Sequence, residues 1–304
     1  MKNNILFLKP YLEKKTWGGH NLTDFNIKLP KDKIGEAWVI SGIKGKSCLI
    51  VNDEYKDISL YEFYQDHRAF FDNHEDNQYP LIVKLLDCQN DLSVQVHPLP
   101  EYAKENSNAI SKTEAWYVLE ALPNAQIVYG HKAKTKIELE TFVKNNEWDN
   151  LLNYVRVNAH DLFYVPAGTL HALGRGLVVL EVQQASDTVY RLYDYNRKQN
   201  DASRSLNIRE AIENISIPFE KPNMFSKNDE LITSPFFSLY EINNNGTHSY
   251  DFSYARWIQC VVVEGEGIIE DIPIKKGSTF IIGNNDLNFQ LSGNLKIIAS
   301  YIRR

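Results

Sequence analysis

The chain has 304 residues, of which 43% are hydrophobic and 24% charged, and a formal net charge of −6. That length allows two domains or one large β-rich domain with a sizeable core, and the acidic balance gives no long-range attraction for nucleic acid. No stretch reaches the length of a membrane span, Met1 to Pro10 lacks the apolar run of a secretory leader, and Cys48, Cys88 and Cys260 form no Cys-x-x-Cys pair, so a cytoplasmic protein with reduced, buried thiols is expected.

In chain order, Ile34 to Ser41 and Ser47 to Val51 are the first strand candidates, rich in β-branched and aromatic residues. Ser59-Leu60-Tyr61-Glu62 has the capping-box pattern of a helix start, and Leu60, Phe63, Tyr64, His67 and Phe71 follow at helical spacing. Leu81 to Leu86 is again a strand. In Ser93-Val94-Gln95-Val96-His97, period-2 geometry puts Ser93, Gln95 and His97 on one face, with Gln95 and His97 about 7 Å apart along the strand.

Ala115 to Leu119 and Gln126 to Tyr129 continue the strand pattern, and Lys112 to Tyr117 contains Glu114. Thr135-Lys136-Ile137-Glu138 repeats the capping device ahead of Leu139, Phe142 and Val143, and Trp148, Leu151, Leu152 and Val155 read as a further helical piece. In Tyr164-Val165-Pro166-Ala167-Gly168-Thr169-Leu170-His171, Pro166 and Gly168 form a turn that fixes where His171 emerges on the next strand. Leu177 to Gln184 alternates, with Leu177, Val179, Glu181 and Gln183 on one face. Asn207 to Ile215 is a helix with Ile208, Ala211, Ile212 and Ile215 along one side.

Gln95, His97, Glu114 and His171 form a donor set of two imidazoles, one carboxylate and one amide, which suits a borderline divalent cation such as zinc and leaves room for substrate. His20, His67, His74, His131, His160 and His248 lack a partner at useful spacing and are assigned no metal role. Lys84, Lys112 and Arg191 are the cations nearest in sequence to these strands.

Pro218 to Glu230 has the composition of a linker, and Leu231 to Arg304 returns to strands and turns. Lys275 to Ile282 echoes Asn158 to Val165, which points to two copies of one β-barrel. The later copy lacks a Gln-x-His or Pro-x-Gly-x-x-His word, so its barrel is expected to be structural. The expected division is a metal-binding domain over residues 1–217 with helical insertions, a linker over 218–230 and a ligand-free barrel over 231–304.

Pro166 to His171 resembles the second cupin signature, and the ordered words around it resemble those of the zinc-dependent phosphomannose isomerases in their short bacterial form. These words are Thr16 to Gly19, Gly35 to Trp38, Leu81 to Asp87, Ser93 to Pro98, Lys112 to Tyr117, Pro166 to Leu173 and Glu181 to Asp194. The likeness runs from about Leu8 to Arg197, while the C-terminal third has only a generic cupin character. Gln95 stands where cupins usually carry the first histidine, and Glu114 lies 17 residues beyond His97, two departures shared with the isomerases. His160 replaces the turn glycine that often precedes the Pro-x-Gly word.

The resemblance implies a mainly β fold of two cupin (jelly-roll) β-barrels with a few short helices. It implies one zinc ion per chain held by Gln95, His97, Glu114 and His171, a sugar-phosphate substrate, and interconversion of mannose 6-phosphate and fructose 6-phosphate. Arg191, which never deprotonates, suits charge stabilisation or phosphate binding; the alternative is a surface arginine paired with Asp187 or Asp194. Glu181 suits either the proton shuttle or the orientation of a ligand histidine. Lys84, Ser93 and Lys112 are the phosphate candidates, with a solvated strand lysine the plainer reading of Lys84. Glu36 and Trp17 fit as pocket wall or packing. A metal dioxygenase and a non-enzymatic sugar-phosphate-binding cupin are the rival functions.

Overall fold

The computed structural model describes residues 4–197, 205–224, 230–285 and 287–304. The chain is mainly β, with five short α-helices among the described residues, and falls into two compact units. One comprises Met1–Thr16, His20–Leu86 and Met224–Arg304; the other comprises Trp17–Gly19 and Asp87–Asn223.

These units do not coincide with the division expected from chain position. In the first, the N-terminal strand Ile5–Lys9 pairs antiparallel with Thr279–Ile282, placing Leu6 opposite Ile281 and Phe7 opposite Phe280. The chain's beginning therefore completes the sheet made by its end, in an eight-stranded arrangement that also contains Ser238–Asp251, Ala255–Ile269 and Asn288–Arg303. Ile5, Ile258, Val262, Phe280, Ile282, Leu291 and Ile297 are buried together there, each worth roughly 1.5–3 kcal/mol of hydrophobic transfer. The expected linker includes residues 225–229, which lie outside the described residues. Ile34–Ile40 and Leu81–Cys88 pair within this unit as well, apart from the last two residues of the latter strand.

The second unit holds a five-stranded antiparallel sheet in the order Leu152–Arg156, Gln126–His131, His171–Leu173, Val94–Val96 and Tyr190–Tyr193. Its apolar face carries Val94, Val96, Val128, Ala172 and Leu192 against Leu139, Leu151 and Ala211 of three short helices. Alternation then leaves Gln95, His171 and Arg191 on the opposite face. A separate ladder joins Leu162–Val165, Glu114–Ala121 and Leu177–Gln184.

Local signals translate closely. Ser59 and Glu62 form a reciprocal capping box at the start of Leu60–Asp66, and Thr135 accepts from the Glu138 amide. The piece read as helical from Trp148 divides: Trp148–Leu151 is helix, but Leu152–Arg156 is a strand because Val155 pairs with Ile127. Ile208, placed on the apolar stripe by spacing, is exposed at its helix start, while Ala211 and Ile215 are buried. The sequence echo is real at the backbone: His160 and Gly277 occupy matching places, and both adopt left-handed φ, +71° and +87°. A glycine is the easy residue there; His160 retains the conformation while its Nδ1 meets the Tyr117 hydroxyl at 3.0 Å.

The joining of chain start and chain end is testable through the Phe7–Phe280 ring pair, whose centroids lie 5.4 Å apart. A double-mutant cycle with Phe7→Leu and Phe280→Leu should give a coupling of about 0.5–1.5 kcal/mol in urea unfolding. A coupling of zero would contradict the pairing.

Candidate metal centre

Glu114 and His171 lie on separate strands of the second unit and His97 directly follows the Val94–Val96 strand, yet one ligand atom of each lies within 4.8 Å of the others. It is the one such cluster of three or more among the described residues. Both imidazoles are fully buried and Glu114 is 1% exposed. Glu114 Oε2 is 3.5 Å from His97 Nε2, and Oε1 is 3.4 Å from His171 Nε2.

The turn before His171 sets its chemistry. Gly168, at φ +85°, donates its amide to the His97 carbonyl at 3.1 Å, linking the two histidine strands. A Cβ there would come within 2.4 Å of Ser216 Oγ and 2.6 Å of Leu99 Cδ2, so any other residue would have to shift those side chains and adopt a left-handed backbone as well. His171 Nδ1 lies 2.8 Å from the Thr169 carbonyl, which can only accept, so Nδ1 bears the proton and Nε2 its lone pair. Burial pushes the His171 pKa down to about 4, against the weaker opposing pull of the Thr169 carbonyl, and the ring is neutral near pH 7. The Glu114–His171 contact is thus not an ion pair: a lone pair on a buried nitrogen that makes no hydrogen bond faces an anionic oxygen. That juxtaposition is unfavourable until a cation lies between the two atoms, and nitrogen and carboxylate donors fit a borderline divalent metal.

Cross-strand register brings the other sequence candidates in. Gln95 stands opposite His171 on one side and Arg191 on the other. Both Gln95 and Arg191 are half-buried. The alternative partners for Arg191 are not used by it: Asp194 is engaged by Arg197, and no described carboxylate pairs with the Arg191 guanidinium. Ser93 is buried immediately before the Val94–Val96 strand.

Lys112 is 4% exposed; its ammonium lies 3.2 Å from Glu114 Oε2 and donates to Gln183 Oε1 at 2.9 Å. Gln183 is fixed in turn because its Nε2 donates to the Gln184 and Ser186 carbonyls. Glu181, 6% exposed, accepts from the Trp116 indole at 3.1 Å. Sequence reasoning gave no role to Trp116 or Gln183. Their signal was available as period-2 spacing: Lys112, Glu114 and Trp116 alternate on one strand, and Gln183 and Glu181 face Glu114 and Trp116 on the next.

Lys84 belongs to the first unit and is not a solvated strand lysine. It is 6% exposed, with its ammonium 3.8 Å from Glu36 Oε2 and 5.0 Å from the Trp38 ring centroid. Glu36 also meets Lys15 at 3.3 Å and accepts from Trp38 Nε1 at 2.8 Å. Burial raises the Glu36 pKa, but Lys84, Lys15 and the indole outweigh it and hold the carboxyl at about 2.

The description "Phosphomannose isomerase type I, catalytic domain" matches residues 5–126, and "Mannose-6-phosphate isomerase, cupin domain" matches residues 227–302. The chain is 38% identical to a mannose-6-phosphate isomerase of Streptococcus mutans, over 97% of this chain and 98% of that one. It is also 38% identical to the mannose-6-phosphate isomerase ManA of Bacillus subtilis, over 99% and 100%. The crystal structure of the mannose 6-phosphate isomerase from Bacillus subtilis superposes with a TM-score of 0.92 at 35% identity, covering 98% of this chain and all of that one.

The Glu36 cluster makes a signed prediction. A carboxyl held at about 2 in the fold, against an ordinary 4.5, adds stability above pH 4.5 that disappears as pH falls toward 2. Urea midpoints measured from pH 5 to pH 2 should fall less steeply for Glu36→Gln than for the parent. Parallel curves would refute the ion cluster.

Proposed function

The chain belongs to the phosphomannose isomerase family, and from that premise we propose that it interconverts mannose 6-phosphate and fructose 6-phosphate as an aldose–ketose isomerase. The observation that carries the reading is the convergence of His97, Glu114 and His171 beside a buried ammonium, Lys112, and a second carboxylate, Glu181. Moving a proton between adjacent sugar carbons passes through an enediol with negative charge on oxygen, which calls for a positioned base and for positive charge.

We assign one zinc ion per chain to His97, Glu114 and His171, with the Gln95 amide as the weakest fourth donor. When bound, the ion supplies Lewis-acid stabilisation of the developing oxyanion. Glu181 is the base: it takes the proton from one carbon and returns it to the other, while the Trp116 N–H fixes its carboxylate. Arg191, half-buried and free of a described carboxylate partner, stabilises the enediolate charge. Lys112 is committed to Glu114 and Gln183 and so serves the reacting end of the sugar rather than the phosphate. This revises its sequence-based role and leaves Ser93 as the phosphate donor of the second unit.

No described helix is long and apolar enough to cross a membrane, and the three cysteines are free and buried. Free thiols of this kind favour the cytoplasm.

A coupled assay on mannose 6-phosphate, run anaerobically with metal determination on the same sample, tests the reading. Turnover without oxygen separates an isomerase from a dioxygenase, and absence of turnover in metal-replete protein would leave a binding cupin. His97→Ala and His171→Ala should each lose bound zinc and nearly all activity with the fold intact, and Gln95→Ala should lose less. Near-stoichiometric zinc in either histidine variant would overturn the ligand assignment.

Arg191→Ala should lower kcat by about a hundredfold, roughly 3 kcal/mol, with KM little changed. A raised KM at constant kcat would instead make Arg191 a phosphate ligand.

A further inference from the structure

Trp116 is buried to 1% exposure, yet its one polar atom sits between two carboxylates. Nε1 lies 3.1 Å from Glu114 Oε1 and 3.1 Å from Glu181 Oε2. The register explains how. Trp116 follows Glu114 by two residues on one strand and stands directly opposite Glu181 on the next, so the indole edge reaches both side chains. The same ring packs edge-on to the His171 imidazole, with centroids 5.4 Å apart and planes at 69°.

Filling space does not require an N–H aimed at two acids. Side by side in a buried site, two carboxylates repel, and a lysine or arginine between them would add a full charge that competes with a metal cation. An indole N–H is different, because it donates but neither ionises nor exchanges roles with an acceptor. One shared donor holds both anions without altering the charge of the site. Glu114 is thereby fixed at both oxygens: Oε1 faces Trp116 and His171, and Oε2 faces His97 and Lys112.

We propose that Trp116 is a positioning residue that couples the ligand carboxylate Glu114 to the proton-transferring carboxylate Glu181, holding each in its working orientation through one bifurcated hydrogen bond. The inference rests on the assignments of Glu114 and Glu181 made above. It adds that the metal ligand and the base are not independent: a change at the indole N–H disturbs both.

The test uses the full-length chain, with cobalt(II) in place of the native metal and its visible absorption as the readout. Trp116→Phe should weaken cobalt binding by about tenfold or more, as expected for loss of a partner behind a ligand, and should alter the cobalt spectrum. In steady-state assays kcat should fall while KM stays within about twofold, because the lost contact orients the base rather than the substrate. The fall in kcat should shrink markedly when Glu181 is already Gln, and Trp116→His, which keeps a ring N–H, should recover part of both effects. If Trp116→Phe fails to fold, benzothienylalanine at position 116, with the indole shape and sulfur in place of N–H, makes the same comparison. Parental cobalt affinity and spectrum in a folded variant lacking the N–H would overturn the proposal, as would an undiminished kcat loss in the Glu181→Gln background. A parent that binds no cobalt would overturn the ligand assignment itself, whereas a parent that binds it beside unaffected variants overturns only the coupling.

Discussion

A carboxylate buried between two imidazoles is the constraint on which the rest of the second unit depends. Desolvating Glu114 costs several kcal/mol unless positive charge or donors surround it. His171 does not supply that charge, since burial keeps it neutral and its ring proton is turned away toward the Thr169 carbonyl. Lys112 and the Trp116 N–H meet Glu114 from two directions. The remaining demand is one that a divalent cation among His97, Glu114 and His171 satisfies.

Much of the surrounding structure keeps those few atoms in place. Glu114 comes from one ladder and the histidines from the five-stranded sheet, so no single hairpin could assemble the group. The Gly168 amide ties the Pro-x-Gly turn to the His97 carbonyl, and the turn thereby fixes the spacing of the two histidine strands. Gln183, held by two backbone carbonyls, steadies Lys112. A site supported this way loses little to reorganisation when charge develops in it, which is how preorganised electrostatics lower a barrier.

Two lysines singled out together show how far environment governs the role of one residue type. Lys112 is set against Glu114 beside the two histidines and donates to Gln183. Lys84 lies over the Trp38 ring and beside Glu36, whose carboxyl it helps to hold at about 2. Both are nearly excluded from solvent, and neither is a surface charge. Each has a carboxylate neighbour, and this chain uses one such pair in each unit.

The sequence by itself determined the local words. The Ser59 and Thr135 caps, the Pro166 to His171 turn, and the alternation that set Gln95 on the face opposite Val94 and Val96 follow from interactions within a few residues. The ordered family words reached the candidate ligands for the same reason, because each word encodes a turn or a strand face. Only the tertiary structure decided what depends on distant pairing. It joined the first strand to Thr279–Ile282, against the expectation of successive domains, because two edge strands far apart in sequence match in register. It also put Trp116 opposite Glu181 and Gln183 opposite Glu114, which made a positioning donor out of an indole to which the sequence words gave no role. A strand's own pattern states which face a side chain occupies. Only the neighbouring strand's register says what stands across from it.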